Sequence, residues 1–218
     1  IVKFFLHLLF PEVLNVSEPI KLNNSNNFNI SKFGIKIYSQ NEEDGIILYI
    51  LKHIGIRTKK FIEIGSESGT ECNTTNLLKY FNWSGMQIEG DKELYNNAKI
   101  QLKKSLKEKI KNIKLVNSFV TKKNINKIIK KNFKKEVDLL SIDIDGNDFW
   151  VWKEINCINP RLVVIEYNSF FGSGTSCTIP YNPKFTWDYK KKRSYYGASL
   201  KALEKLGRKK KYTLVGVD

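Results

Sequence analysis

The sequence predicts an α/β fold with a Rossmann-like, doubly wound, mostly parallel sheet, and three observations carry that expectation. Short apolar runs alternate with stretches whose apolar residues recur at helical spacing, as a series of right-handed βαβ crossovers requires. The run VDLLSIDID, residues 137–145, is almost continuously apolar, as a strand covered on both faces should be. Glycines and acids gather where the apolar runs end, the side on which such sheets bind their ligands.

Taken in order, IVKFFLHLLF opens the chain, is ended by Pro11, and is shorter than the roughly 20 apolar residues that span a bilayer. It predicts an amphipathic flap with no transmembrane span. Residues 15–33 are rich in Asn and Ser with little periodicity, so residues 1–37 read as a lead-in and 38–218 as one domain. Ser39 and Glu42 have capping-box spacing ahead of Ile46, Ile47, Ile50, Leu51 and Ile54 on one helical face, with Gly55 as the stop. Lys60–Ile64 is the first strand of the domain and Thr70–Phe81 the next helix. Met86–Glu89 is a second strand that ends on an acid. Leu94, Ala98 and Leu102 mark a helix, and Ile113–Val120 a third strand. Ile125, Ile128, Ile129 and Phe133 mark another helix before the fourth strand, Val137–Asp145. A short helix at Trp150–Ile155 leads to the fifth strand, Arg161–Tyr167. Residues 169–194 change texture to Gly, Pro and aromatics and predict a lid. Leu200, Ala202, Leu203 and Leu206 form the last helix, before the strand TLVGV.

The formal net charge of +15 is compatible with nucleic acid, anionic lipid or an acidic glycan as partner. Only Arg57, Arg161, Arg193 and Arg208 are arginines, however, and phosphate and base recognition favour the arginine fork over lysine. A Lys-, Asn- and Ile-rich composition points first to an AT-biased genome. Cys72, Cys157 and Cys177 are odd in number, widely spaced and without CxxC, so a reducing, cytoplasmic setting is the default. His7 and His53 give little material for a histidine metal site or a Ser–His–Asp triad.

The loop FIEIGSESGTECNT, residues 61–74, is a strand, a glycine turn and a helix start. A dinucleotide fingerprint would carry GxGxxG so that backbone can approach a pyrophosphate. Here Glu67 stands where the middle glycine belongs, and a pyrophosphate beside it is repelled and crowded. S-adenosylmethionine, with an ammonium, a sulfonium and no phosphate, suits that carboxylate. Glu89, at the end of the second strand, is placed to accept both ribose hydroxyls.

Five pieces in order resemble the class I S-adenosylmethionine-dependent methyltransferases, and within them the FkbM-like group: YSQNEEDGIILYI, FIEIGSESGTECNT, GMQIEGD, VDLLSIDIDGNDFWVW and RLVVIEYN. YYGASLKALEKLGRKKKYTLVGVD is similar to the run-in to that family's sixth strand, and the resemblance covers about residues 38–218. It implies that Glu63, Gly65, Ser66 and Gly69 hold the methionine part, Glu89 the ribose, and Asn117 or Ser118 the adenine edge. The family's sheet ends with an antiparallel seventh strand hairpinned to the sixth, and this sequence stops before one.

In SIDIDGND, Asp143 and Asp145 point the same way from the strand, since alternate residues share a face, and Glu166 and Asn168 repeat the arrangement one strand over. Asp143, Asp145 and Glu166 are candidate catalytic groups, drawing a proton from an attacking hydroxyl; Asp143 also borders the cofactor positions. Asp145, Glu166 and Asn168 are candidate ligands for a hard divalent cation such as Mg2+. A turn and helix cap account equally well for Asp148. The expected activity is methyl transfer to a hydroxyl of a sugar, glycan or other small molecule. An RNA or DNA methyltransferase, and a nonenzymatic S-adenosylmethionine-binding paralogue, are the alternatives.

Overall fold

The computed structural model describes residues 2–8, 30–133, 136–188, 190–191 and 193–217. Among the described residues seven strands form one sheet: β1 (Val2–Leu8), β2 (Lys60–Ile64), β3 (Ser84–Glu89), β4 (Ile113–Asn117), β5 (Leu139–Ile142), β6 (Leu162–Tyr167) and β7 (Tyr212–Val217), in the order β4-β3-β2-β5-β6-β1-β7. The neighbours from β4 to β6 are all parallel. Strand order reverses between β2 and β5, which opens a crevice at their carboxyl ends. This is the Rossmann-like α/β architecture expected.

The alternation of side chains along each strand divides the core in two. Ile62, Ile64, Leu140, Ile142, Val163 and Ile165 pack on one face with α4 (Ile125–Asn132), α5 (Asp148–Glu154) and α6 (Leu200–Lys209). Phe61, Leu139, Leu162 and Val164 pack on the other with α1 (Glu43–Ile54), α2 (Thr75–Tyr80) and α3 (Lys92–Leu106). Two covered faces explain why the central strands carry so few polar residues.

The N-terminal run departs from expectation. Val2–Leu8 is not a flap but a strand, antiparallel to β6 from Val2 opposite Tyr167 to His7 opposite Leu162, and antiparallel to β7 on its other side. It occupies the antiparallel position that the family resemblance reserves for a strand hairpinned onto β7. Seven apolar-rich residues suffice for a strand, and the otherwise open edges of β6 and β7 give them both ladders. Residues 15–29, part of the expected lead-in, lie outside the described residues.

Local signals also resolved differently from expectation. The capping box does not form: Ser39 Oγ accepts the Asp44 N–H at 3.1 Å, and the buried Asp44 carboxylate takes the N–H groups of Ile37, Tyr38 and Ser39. The helix expected from residue 70 begins at Thr75, because residues 70–74 form a turn held by Glu63. The fourth strand expected through Asp145 ends at Ile142. In keeping with the little that histidine offered for catalysis, His53 is structural, with Nδ1 2.7 Å from the Tyr49 carbonyl.

Candidate functional site

Gly65 follows β2 at φ +82, and a Cβ placed there would lie 1.6 Å from the Asp143 carbonyl oxygen. Only glycine lets the ends of β2 and β5 come this close, which brings the loop after β5 against the glycine turn. Gly65 and Ser66 both donate their N–H groups to the Ile88 carbonyl. The turn is thereby tied to β3 as well.

Glu67 adopts φ +44 and donates its N–H to Glu89 Oε2 at 2.7 Å. Glu89 Oε1 accepts from Asp91 N at 2.8 Å, so one buried carboxylate joins the loops after β2 and β3. Each Glu89 oxygen keeps a second lone pair for a ligand hydroxyl.

A cleft of about 220 Å3 opens between these loops and includes Glu67, Glu89, Asp91, Asp143 and Asp145 in its walls. A smaller lobe adds Glu63 and Glu71 beyond Gly65 and Asp143. Among the described residues no lysine, arginine or histidine lines either part. The cofactor-binding candidates divide accordingly. Gly65, Glu89, Ser118 and Asp143 line the main cleft, and Glu63 lines the lobe. Ser66 and Gly69 shape the turn from behind, Gly69 against Ala98 and Leu102 of α3. Asn117 turns its amide to the Glu89 carbonyl at 2.9 Å instead of towards the cleft. Glu63 accepts the Asn73 N–H at 2.8 Å and the Thr74 hydroxyl, so it also organises the approach to α2.

The acids after β5 and β6 meet as the sequence suggested, but by a different route. Carboxylate oxygens of Asp143, Asp145 and Glu166 lie within 4.8 Å of one another. Asp143 and Asp145 stand in a loop, with Asp145 at φ +52, so shared strand alternation is not what aligns them. Asp148 folds that loop back. Its buried carboxylate accepts Ile144 N at 2.9 Å and Gly146 N at 2.8 Å. Burial first, and then the nearby Asp143 charge, push the Asp148 pKa up to about 6. Asn147, not Asp148, takes the N-cap position of α5. The acid trio could share a proton or hold a cation. Asn168 is otherwise engaged: its amide donates to the Ser194 and Tyr196 carbonyls, both at 2.9 Å, and accepts from Phe170 N. Burial, followed by the charges of Glu166, Asp145, Asp143 and Asp148, pushes the Tyr196 hydroxyl up to about 12. It remains a donor at neutral pH.

The Gly- and aromatic-rich segment crosses over this loop. Ile179 accepts Trp150 Nε1–H at 2.8 Å, the Asn182 carbonyl accepts Asn147 Nδ2–H at 2.8 Å, and Tyr181 Oη accepts Lys122 N–H at 3.2 Å. Phe185 lies so close to Gly146 that a Cβ there would meet its ring at 2.4 Å, and Phe185 completes a wall of the cleft. Phe185 comes from the aromatic segment 169–194, whereas Phe119 and Asn147 are lining residues that sequence reasoning missed, because isolated aromatics and amides carry no spacing signal. Cys72 is packing: its buried thiol donates to the Ser66 carbonyl at 3.1 Å, and burial pushes it well above the ordinary thiol range.

No protein-family model matches the chain, and no curated protein matches it. Solved structures do. A human methyltransferase 10 domain containing protein aligns at 17% identity and TM-score 0.39, covering 47% of this chain and 47% of that one. An O-methyltransferase from Bacillus cereus in complex with SAH aligns at 12% identity and TM-score 0.49, covering 66% of this chain and 63% of that one. A Plasmodium falciparum protein described as a putative protein-L-isoaspartate O-methyltransferase, in complex with S-adenosyl-L-homocysteine, aligns at 20% identity and TM-score 0.35, covering 53% and 56%. The matched region is thus between about half and two thirds of those chains. At these scores the fold assignment rests on the strand order itself. No helix among the described residues is long and apolar enough to cross a membrane.

Proposed function

We propose that the acid-lined cleft binds S-adenosylmethionine and that the chain transfers its methyl group to a hydroxyl oxygen of a sugar, glycan or other small molecule. One observation carries the reading: a chain of formal charge +15 builds its cleft at the strand ends from carboxylates, with no basic side chain among the described lining residues. Such a field repels a pyrophosphate and attracts a sulfonium and an ammonium. The donor set therefore fits this cofactor and not a dinucleotide.

In this reading Glu89 takes the ribose hydroxyls, and Ser118 and Phe119 flank the adenine. The turn built by Gly65, Ser66 and Gly69 shapes the methionine end beside Glu63. When bound, the cofactor supplies an electrophilic methyl group on sulfur. The chain's own task is to position an acceptor oxygen and to receive its proton. Asp143, Asp145 and Glu166 are grouped where they can take that proton, their carboxylate oxygens lying within 4.8 Å of one another. The same oxygens are of the type that holds a hard divalent cation, Mg2+ among them. Phe170 and Tyr195 are exposed aromatic side chains, Tyr195 beside the cleft residue Phe185, of the type on which a ring-shaped acceptor can stack. The hydroxyl preference rests on this proton-accepting cluster and on the resemblance to the FkbM-like group.

Calorimetric titration with S-adenosylmethionine and with NADH tests the cofactor. Binding of the first and not of the second is expected; the reverse result, or no binding to folded protein, refutes the reading. Glu166→Gln, assayed on a panel of glycans with and without Mg2+, should keep cofactor binding and lose roughly 10^2- to 10^4-fold in methyl transfer, whereas Asp143→Asn and Asp145→Asn, which line the cleft, should weaken cofactor binding as well. An RNA that outperforms every glycan on the same panel overturns the acceptor class.

A further inference from the structure

If the cleft binds S-adenosylmethionine, the reading on which the role of Lys36 rests, its small lobe poses an electrostatic problem for that ligand. Glu63, Glu67, Glu71 and Asp143 all border the lobe. They favour an ammonium, yet the amino-acid end of S-adenosylmethionine carries a carboxylate beside its ammonium, and these acids repel it. A balancing cation is needed close by.

Lys36 stands there. Its Nζ donates to the Gln40 carbonyl at 2.5 Å and lies 3.8 Å from Glu71 Oε1, and both Gln40 and Glu71 line the lobe. The loop that carries Lys36 and Gln40 is fixed from beneath. Buried Asp44 accepts Ile37 N at 2.9 Å, Tyr38 N at 2.6 Å and Ser39 N at 2.8 Å, and buried Glu43 accepts Asn41 N at 2.8 Å. Gln40 Oε1 is buried with no hydrogen-bond partner among the described residues, an acceptor suited to a ligand ammonium. The Lys36–Glu71 pair is itself exposed, at 56% and 51% of the side chains, so it adds little to stability. A ligand carboxylate can compete for that ammonium at small cost.

We propose that Lys36 is the counter-charge that admits a carboxylate to the acidic lobe, and so selects the complete amino-acid cofactor over its decarboxylated counterpart. Calorimetry of wild type, Lys36→Met and Lys36→Arg with S-adenosylhomocysteine and with its decarboxylated analogue tests this, with far-UV circular dichroism to confirm folding. Lys36→Met should bind S-adenosylhomocysteine about tenfold more weakly, the loss of one hydrogen bond between charged groups, and bind the decarboxylated ligand at least as well as wild type. Lys36→Arg should restore the preference. Equal weakening for both ligands, or no weakening, overturns the role of Lys36 and leaves the cofactor reading intact. Failure of folded wild type to bind either ligand removes both.

Discussion

Glu89→Gln separates what one carboxylate does for the fold from what it does for a ligand. In the free protein Oε2 takes the Glu67 N–H at 2.7 Å and Oε1 takes the Asp91 N–H at 2.8 Å. Glutamine keeps one acceptor oxygen and turns an NH2 group towards the other N–H. The lost bond and the donor–donor contact should cost about 2 kcal/mol of stability. In the complex, the two remaining lone pairs are proposed to accept the ribose hydroxyls. Replacing one acceptor by a donor, and removing the charge behind the other, should cost about 3 kcal/mol of binding, roughly a hundredfold in Kd. The assay is calorimetry with S-adenosylhomocysteine alongside urea unfolding of the same preparations. A 2′,3′-dideoxy analogue closes a double-mutant cycle, because the variant should barely distinguish it from the parent ligand. Binding within threefold of wild type refutes the ribose assignment. So does an equal penalty for the dideoxy ligand in both proteins. An unchanged urea midpoint would show that the two loop bonds contribute nothing.

Gly65→Ala combines a positive φ with a Cβ 1.6 Å from the Asp143 carbonyl, whereas Gly172→Ala has a similar φ of +68 and nothing within 4 Å. Urea midpoints should therefore show roughly 3 kcal/mol or more lost at Gly65 and about 1 kcal/mol at Gly172; equal losses would mean that the strand ends part freely. Asp148 is linked to pH. Its pKa, raised to about 6, means that the folded state holds a proton the unfolded state releases. The stability this contributes is fully present below about pH 4 and is lost as pH rises through about 6, in all about 3 kcal/mol. Relative to Asp148→Asn, the wild type should lose stability between about pH 4.5 and 6.5, and a difference independent of pH would contradict the assignment.

The periodic parts of this protein were legible in the sequence because periodicity reports burial. Two-sided burial made the central strands continuous apolar runs, and the helical stripes followed from packing on a sheet. Glu67 and Glu89 were legible for another reason: glycine spacing and a strand end fix where their side chains emerge. Asp143 and Asp145 were brought together as expected, yet a loop does it, and the capture of two loop N–H groups by Asp148 leaves no mark beyond a turn-forming sequence. The role of Val2–Leu8 was illegible because a strand's partners are set by what the rest of the sheet lacks. Lys36 was hidden among many lysines, and only its contacts with Gln40 and Glu71 distinguish it.

The position of β1 has a consequence for how the molecule assembles. Its partners, Leu162–Tyr167 and Tyr212–Val217, are the most distant strands in sequence, so this pairing carries the largest loop-closure entropy in the sheet. Until it forms, β6 and β7 each present an unpaired edge able to capture another chain. Pulse-labelled hydrogen exchange should find the β6 and β7 amides that face β1 among the last to become protected, and early protection there would reverse the order. Of the seven described strands, the one that precedes the others in the chain is then the one that seals the sheet.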